Sequence, residues 1–468
     1  MKWPTYIIYT ILLWLLGAAI IIAAAHGDLW LDEIWSLNFA LEANTIRDIF
    51  LRFRHDNNHP LNTLFLYWLG DGWPFFYYRI LAVVCGIASV GLCAWLSKKE
   101  AHASPLWTIF LLNLNYPLIL YFSEARGYSP AILMSLFGYI LLQPNPVYCP
   151  IRRFPFFWFV SALGILSHAT YFISMASFAI WHLVSIFQLR LVRRRVFTPW
   201  LLLHGPPFVL ITIWYKLFLR KMVIGGGPVH SFPYVIGQAS ALLLGFPNRD
   251  PWYLVAFLFV AAIIISGVMQ LYRASDSRWI FYASATIFAP GALVLLAQPV
   301  YLHFRYFIIC FPFFLLLVVR LARKWYDILR KGKRFLVLVS IALLIAGHIP
   351  KIHALLTLRR GQYTAALEYI AGSAPLRIIR IGTDQDFRNG MIFRFYVPRI
   401  KGGERLRYIE QNRWGAEPPD WIVLHSFDTH FRPVSGLSVG MHHYTLERQY
   451  RHADMSGWSW FLFKRVAD

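Results

Sequence analysis

Residues 105–142, PLWTIFLLNLNYPLILYFSEARGYSPAILMSLFGYILL, decide the fold of this chain. Two apolar runs, 105–122 and 125–142, meet at a turn that carries only two charged side chains, Glu124 and Arg126. A helix crosses the hydrocarbon core of a bilayer with about 20 apolar residues. The stretch therefore predicts two membrane helices joined by a polar turn. Charges so close to a bilayer are costly unless they are paired or functional.

The composition extends this prediction to the whole chain. Of its 468 residues, 58% are hydrophobic and only 15% are charged, and the mean hydropathy is +0.49. Soluble domains are about one quarter charged. The composition excludes an ordinary cytosolic enzyme, a disordered chain and a small secreted module, and it predicts a polytopic α-helical membrane protein.

Eleven runs are candidate transmembrane helices: 5–25, 74–96, 105–122, 125–142, 153–167, 169–189, 198–219, 251–271, 279–297, 304–322 and 334–350. The stretch 153–189 could instead be one helical hairpin or one long helix. The first run lacks a convincing cleavage site, so it is expected to be retained. The run 232–246 is expected to be a juxtamembrane helix.

The charge distribution predicts the orientation. Lys and Arg exceed Asp and Glu by 22. With a cytoplasmic N-terminus, the cytoplasmic side holds 18 of the 28 basic residues before position 351 and three of the 12 acidic ones. This is the bias of cytoplasmic loops, so topology explains much of the excess and nucleic-acid binding is not predicted. Eleven spans place the C-terminus outside the cytoplasm.

The chain is expected to contain two domains. Residues 1–350 form a transmembrane catalytic domain with long outer loops at 26–73 and 217–250. Residues 351–468 change to strand-length apolar runs after a helical stretch at 363–370, which predicts a small extracytoplasmic α/β domain. The expected strands are 376–381, 421–424, 444–446 and 458–463. This domain is basic, which suits an anionic acceptor or anionic lipid headgroups.

The first outer loop carries an acidic pair, Asp32-Glu33, just after the first span. A carboxylate at an apolar boundary loses hydration, and this can raise its pKa and make it a useful base. The alternative is a helix N-cap. Further along, His55 and His59 are four residues apart, a spacing that would suit a metal on a helix. The segment 55–61 supplies only these two nitrogen ligands, so no metal is predicted; a divalent ion bound by carboxylates stays open.

Arginines at the same boundary suggest anion binding. The guanidinium group binds phosphate through a planar fork of donors, and Arg126 and Arg305 both lie at the outer ends of predicted spans. The alternatives are a structural pair of Arg126 with Glu124 or Asp32, and snorkelling of Arg305 to the bilayer surface.

Three motifs in order, Leu31-Asp32-Glu33, His59-Pro60-Leu61 and Glu124-Ala125-Arg126-Gly127-Tyr128-Ser129, resemble those of the membrane-embedded GT-C glycosyltransferases. The similarity is to the protein O-mannosyltransferases and the lipid A aminoarabinose transferases, glycosyltransferase families 39 and 83. The sequence departs from the common His-Pro-Pro-Leu, since Leu61 replaces the second proline. This departure leaves the subfamily open.

The resemblance implies an inverting transfer of a sugar from a polyprenyl-phosphate donor, within a bacterial-type plasma membrane, to an extracytoplasmic hydroxyl or phosphate. The acceptor would be lipid A, a cell-envelope glycan or a protein. No cofactor is implied. The implied catalytic pair is Asp32, as the base, and Glu33. The candidate donor-phosphate ligands are Arg126 and then Arg305, followed by Lys221 and Arg249, for which contact with solvated headgroups is the alternative. The candidate substrate-binding residues are His59, His55, Tyr128 and Glu124.

Two alternatives remain. A lipid-linked sugar transporter or flippase would need polar residues along its spans, and here the polar cluster is on one side. A metal-dependent GT-C enzyme, such as an oligosaccharyltransferase or an arabinosyltransferase, would require a divalent cation.

The orientation can be tested by cysteine labelling in a background that lacks the four native cysteines. A cysteine introduced near position 465 should react with a membrane-impermeant reagent added to intact cells, and one at position 194 should not, because the basic loop that contains it is expected to be cytoplasmic. The reverse pattern would contradict the predicted topology.

Overall fold

The structure, a computed structural model, describes residues 3–189, 194–374 and 377–466. Lys2, Arg190 and Arg193, which are among the 18 basic residues expected on the cytoplasmic side, and Leu376, the first residue of an expected strand, lie outside this part. The helices of the described part are α1 Trp3–Ala24, α2 Leu31–Glu42, α3 Ile46–Leu51, α4 Pro60–Leu69, α5 Phe75–Tyr78, α6 Ile80–Ala101, α7 Pro105–Asn113, α8 Tyr116–Phe122, α9 Tyr128–Leu141, α10 Phe154–Ser167, α11 Phe172–Gln188, α12 Arg194–Leu217, α13 Phe232–Leu244, α14 Trp252–Arg273, α15 Arg278–Ala283, α16 Ala289–Ala297, α17 Phe311–Ile328, α18 Phe335–Ala346, α19 Ile349–Leu358, α20 Tyr363–Gly372 and α21 Asp386–Tyr396.

The expected membrane fold is confirmed. Within the described ranges, eight helices are long and apolar enough to cross a membrane, and a ninth is gained if α7 and α8 form one bent span. The other two expected spans are the 14-residue helices α9 and α10. The stretch 153–189 is two helices, since α10 ends before His168, and the expected juxtamembrane helix is α13.

The bend between α7 and α8 is 73°. Pro117 lies in the first turn of α8, where its missing N–H costs nothing, and the side chain of Asn115 accepts a hydrogen bond from Leu118 N at 3.3 Å. His348 Nδ1 accepts a second one from Tyr116 N at 3.3 Å. At the break, side chains therefore accept the hydrogen bonds of the backbone N–H groups of Tyr116 and Leu118.

Helix α6 separates two polar clusters. Near its start, Ser129 donates to the carbonyl of Ala82 at 2.6 Å. Near its end, the buried Glu100 receives Arg278 at 3.2 Å and the hydroxyl of Tyr139 at 3.1 Å. The rise of α6 between positions 82 and 100 is roughly 27 Å, close to the thickness of a bilayer's hydrocarbon core. The two polar clusters are therefore separated along α6 by about the thickness of the hydrocarbon core.

The chain divides into two compact units. One contains residues 1–22, 39–72 and 78–350. The other contains residues 23–38, 73–77 and 351–468, so two N-terminal segments belong to the same unit as the C-terminal residues. The joining contacts are specific: Asp28 accepts from Thr364 N and from Thr364 Oγ1, both at 2.8 Å, and Tyr396 donates to Leu29 O at 2.8 Å.

The C-terminal domain has one six-stranded sheet in the order β2-β1-β3-β6-β5-β4. β1 is parallel to both β2 and β3, and the other pairs are antiparallel. The strands are β1 Ile379–Thr383, β2 Leu406–Tyr408, β3 Trp421–Ser426, β4 Gly436–Val439, β5 His442–Tyr450 and β6 Ser459–Arg465. The sequence predicted β1, β3, β5, β6 and α20, but missed the short β2 and β4 and the polar helix α21.

Candidate active site

The turn Ser123–Tyr128 is held against the start of α4 and the end of α10. Asn62 Nδ2 donates to Ala125 O at 2.8 Å. A Cβ on Gly127 would lie 1.7 Å from the carbonyl oxygen of Ser167. Only glycine permits this approach, which gives a structural reason for the Arg-Gly-Tyr sequence.

Arg126 is buried in this turn, with 2% of its surface exposed. Its Nη2 donates to Asn57 Oδ1 at 2.8 Å and lies 3.4 Å from His59 Nε2. Its guanidinium carbon is 5.1 Å from the centre of the Tyr128 ring. A cation with so little solvent needs acceptors nearby, and the segment that contains His59 supplies two of them.

The segment Asn57-Asn58-His59-Pro60 is a rigid turn. Asn58 Nδ2 donates to the carbonyls of Ile49 and Phe53 at 2.7 and 2.8 Å, and its Oδ1 accepts from Thr63 Oγ1 at 2.8 Å. Pro60 begins α4, and His59 has extended backbone just before it. Asn58 thus fixes the turn, which leaves Asn57 and His59 to face Arg126.

His168 completes the cluster from the break between α10 and α11. Its ring lies 4.7 Å from that of His59 and 4.2 Å from that of Tyr128. Its Nδ1 accepts from Thr170 N at 3.1 Å, so the proton of the neutral ring is on Nε2. Burial, and then nearby positive charges including Arg126, lower the pKa of His59 and of His168 well below the usual value. Both rings are therefore neutral at pH 7.

Arg305 lies in the turn Phe304–Cys310 before α17 and is partly buried. Its positive charge, like that of Arg126, acts on both His59 and His168. Glu124 is fully buried in the Arg126 turn. The fold therefore brings together five predicted site residues from three distant parts of the sequence: His59, Glu124, Arg126, Tyr128 and Arg305.

His55 and Asp56 lie beside this cluster and pair with the second long loop. Asp56 N donates to Val223 O at 3.1 Å, and His55 Nδ1 is 2.8 Å from Asp56 Oδ1. Burial alone would raise the pKa of Asp56, but the hydrogen bond and charge of His55, the Gly225 N–H and Arg126 hold it below its usual range. Asp56 is ionised at neutral pH. The Asp56 carboxylate thus contacts the second long loop at Gly225.

The acidic pair belongs to the other compact unit, at the start of α2. Glu33 is fully buried, and its Oε2 accepts from Trp30 N at 3.3 Å. This is the reciprocal contact of a helix N-terminus, so the capping role considered for the pair falls to Glu33. Asp32 is half-buried in the same first turn.

Two further candidates, Lys221 and Arg249, are exposed. His55 and His59 do not share a helix, and among the described residues no three His, Cys, Asp or Glu side chains are grouped as a metal site. His168 and the role of Asn57 were not predicted from the sequence. A histidine that interrupts the apolar stretch 153–189 was the available signal, because polar residues within such stretches are often functional.

Searches with protein-family models and of curated protein sequences find no match. Two solved structures of ArnT from Cupriavidus metallidurans share the fold. The apo structure has a TM-score of 0.51 and 13% identity over 89% of this chain and 92% of that one. The structure bound to undecaprenyl phosphate has a TM-score of 0.50 and 13% identity over 99% and 98%. The fold expected from the GT-C resemblance is therefore confirmed.

Replacing Gly127 with alanine should destabilise the protein. The added Cβ would overlap Ser167 O, and overpacking of this kind costs about 1–3 kcal/mol. Thermal unfolding in detergent measures the change. Gly291→Ala is the control, because Gly291 is in helix α16 and no described side chain or neighbouring backbone atom lies within 4 Å of its Cβ position. This variant should keep or raise the unfolding temperature. Equal behaviour of the two variants would contradict the packing assigned to the turn.

Proposed function

We propose that this protein is a glycosyltransferase that moves a sugar from a polyprenyl-phosphate donor to an acceptor on the extracytoplasmic side of a bacterial-type plasma membrane. The observation that carries the proposal is the convergence of two arginines, Arg126 and Arg305, on one buried polar cluster that contains the neutral rings of His59 and His168. The shared fold with a protein solved with undecaprenyl phosphate supports it.

The cluster has the chemistry that a leaving phosphate needs. In the proposed reaction an acceptor oxygen forms a bond to the anomeric carbon as the bond from that carbon to the phosphate oxygen breaks. The electron pair leaves with the polyprenyl phosphate, whose charge increases. Arg126 and Arg305 would stabilise this charge. The Nε2–H of His168 and the side-chain amide of Asn57 would add neutral donors.

Asp32 is the proposed base, which takes the proton of the acceptor hydroxyl. Glu33 caps the helix that carries it, so Glu33 is a positioning residue in this proposal. Because Glu33 accepts the hydrogen bond from Trp30 N, the Asp32 carboxylate is not needed as the cap of this helix. His59, His55, Tyr128 and Glu124 are proposed to bind donor and acceptor groups around the phosphate. Lys221 and Arg249 are proposed to contact headgroups, because they are exposed.

The metal-dependent alternative keeps one supporting observation, the ionised and partly exposed Asp56 beside the cluster. Loss of activity on chelation, restored by magnesium or manganese, would favour it. A flippase is less well supported, because in the described part the charged residues along α6 lie only at its ends, with Arg79 just before the helix and Lys98, Lys99 and Glu100 in its last turns.

Asp32→Asn should abolish sugar transfer and leave the protein folded. The amide is nearly isosteric but cannot accept the hydroxyl proton at neutral pH, so a general base is lost, and such groups contribute about 10²–10⁴-fold. Transfer is measured with purified protein and labelled donor, and thermal unfolding reports folding. Asp48→Asn is the control, since Asp48 caps α3 and should affect stability alone. Near-normal transfer by folded Asp32→Asn would rule out the base role.

Arg126→Ala should weaken binding of undecaprenyl phosphate, and Arg126→Lys should restore it only in part because lysine lacks the planar fork. Ligand at about 100 times its Kd stabilises a protein by about 2.7 kcal/mol, and a 100-fold loss of affinity leaves about 0.4 kcal/mol. The measurement is thermal unfolding with and without the lipid.

Arg273→Ala is the matched control, since Arg273 is an exposed arginine in the last turn of α14 and should keep the stabilisation by lipid. Full stabilisation of folded Arg126→Ala by the lipid would exclude the phosphate role and favour Arg305. Loss in Arg273→Ala with retention in Arg126→Ala would contradict the site itself.

A further inference from the structure

The sheet of the C-terminal domain contains a second place where ligands are commonly bound. β1 lies between its parallel neighbours β2 and β3. The chain leaves β1 through α21 toward β2, but leaves β3 toward β4 on the other side. The carboxyl ends of β1 and β3 thus form a topological switch point, the usual ligand crevice of open α/β sheets.

A histidine–aspartate pair lies at this switch point. Asp384 follows β1, and His425 is near the end of β3. His425 Nδ1 is 2.9 Å from both carboxylate oxygens of Asp384, and His425 N donates to Asp384 Oδ2 at 3.0 Å. With Nδ1 directed at the carboxylate, Nε2 of a neutral ring is an acceptor. No described residue hydrogen-bonds Nε2, and 12% of the His425 side chain is exposed.

The pair is rigidly supported from behind. Asn389 is fully buried, and its Nδ2 donates to Asp384 Oδ1 at 3.0 Å. Its Oδ1 accepts from the indole nitrogens of Trp458 and Trp460, each at 2.9 Å. Such a satisfied network fixes the orientation of the imidazole. Positioning of this quality is typical of a binding group rather than of a chance surface contact.

Aromatic faces and a cation surround the pair. Phe427 and Phe387 are 50% and 57% exposed. The Phe427 ring is 5.4 Å from His425, and the Arg388 guanidinium carbon is 5.1 Å from the centre of the Phe427 ring. Within the described ranges, Arg388 has no carboxylate partner. The crevice therefore offers flat apolar surface, an acceptor nitrogen, a carboxylate and an available positive charge.

We propose that this crevice binds an anionic saccharide, one that bears a phosphate or a carboxylate. Sugar rings present C–H groups that pack on aromatic faces and hydroxyls that bind acceptors and donors of fixed orientation. Phe427 and Phe387 supply the aromatic faces for the sugar ring. His425 Nε2 and the Asp384 carboxylate accept hydrogen bonds from its hydroxyls, and Arg388 binds the anionic group.

The crevice is also next to the helix of the acidic pair. The Trp35 ring lies 6.2 Å from that of Phe387, and Trp35 is one turn after Asp32 on α2. Asn38 Nδ2, a further turn along α2, lies 3.7 Å from Met391 Sδ. An oligosaccharide held at Phe387 could extend along α2. That the bound saccharide is the acceptor of the transferred sugar rests on the proposed function, whereas the binding of the saccharide does not.

Saturation-transfer NMR on the full-length protein in detergent tests the proposal, with glucose 6-phosphate, glucose and inorganic phosphate as probes. Glucose 6-phosphate should bind most tightly. Arg388→Ala should weaken its binding about tenfold or more, the usual cost of losing one charged hydrogen bond, and should leave glucose unchanged. Phe427→Ala should weaken the binding of both glucose 6-phosphate and glucose.

Arg448→Ala is the matched control, because Arg448 also lies over an aromatic ring, that of Tyr369, on another part of the sheet. It should bind glucose 6-phosphate normally. His425→Gln gives a second variant if Arg388→Ala does not fold. Absence of sugar binding by the wild type, or equal binding of phosphate and glucose 6-phosphate, would overturn the proposal. Stabilisation by undecaprenyl phosphate in the same preparation reports separately on the proposed function.

Discussion

The burial of one guanidinium group constrains the membrane part of this structure. Arg126 is 2% exposed in a chain whose neighbouring helices are almost entirely apolar. A buried cation must be surrounded by acceptors, or the cost of desolvation is not recovered. The turn of Asn57 and His59 supplies two such acceptors. Gly127 lets the Arg126 turn lie against the end of α10, and His168, just after that end, stacks on His59.

Sequence alone located the arginines but not all of their partners. Arg126 could be found because a charge between two apolar runs is costly wherever the chain folds. Its contacts with Asn57, His59 and His168 could not, because the turn of Asn57 and His59 and the break at His168 meet Arg126 only through tertiary packing. Asn57 and Asn58 are chemically identical, yet one faces the arginine and the other fixes the turn. No local pattern distinguishes them. In the C-terminal domain, α21 was missed because its polar surface gives a weak apolar periodicity.

Helix length explains where the cluster lies in the membrane unit. Helices α9 and α10 have 14 residues each and rise roughly 21 Å, less than a full span requires. α9 begins at Tyr128 and α10 ends at Ser167, so one end of each short helix lies at the cluster. The sequence predicted spans at 125–142 and 153–167, and the structure ends both helices at these polar turns.

The charge state of the cluster suits a phosphate that gains charge as it leaves. A sugar joined to polyprenyl phosphate carries one negative charge, and the free polyprenyl phosphate approaches two. Groups that bind the second state more strongly than the first lower the barrier. Two permanent cations do so, because their attraction scales with the phosphate charge. The neutral His59 and His168 do not compete for protons at pH 7 and can remain as fixed dipoles. In the proposed reaction, therefore, loss of either arginine should lower the rate of transfer more than it lowers the affinity for the intact donor.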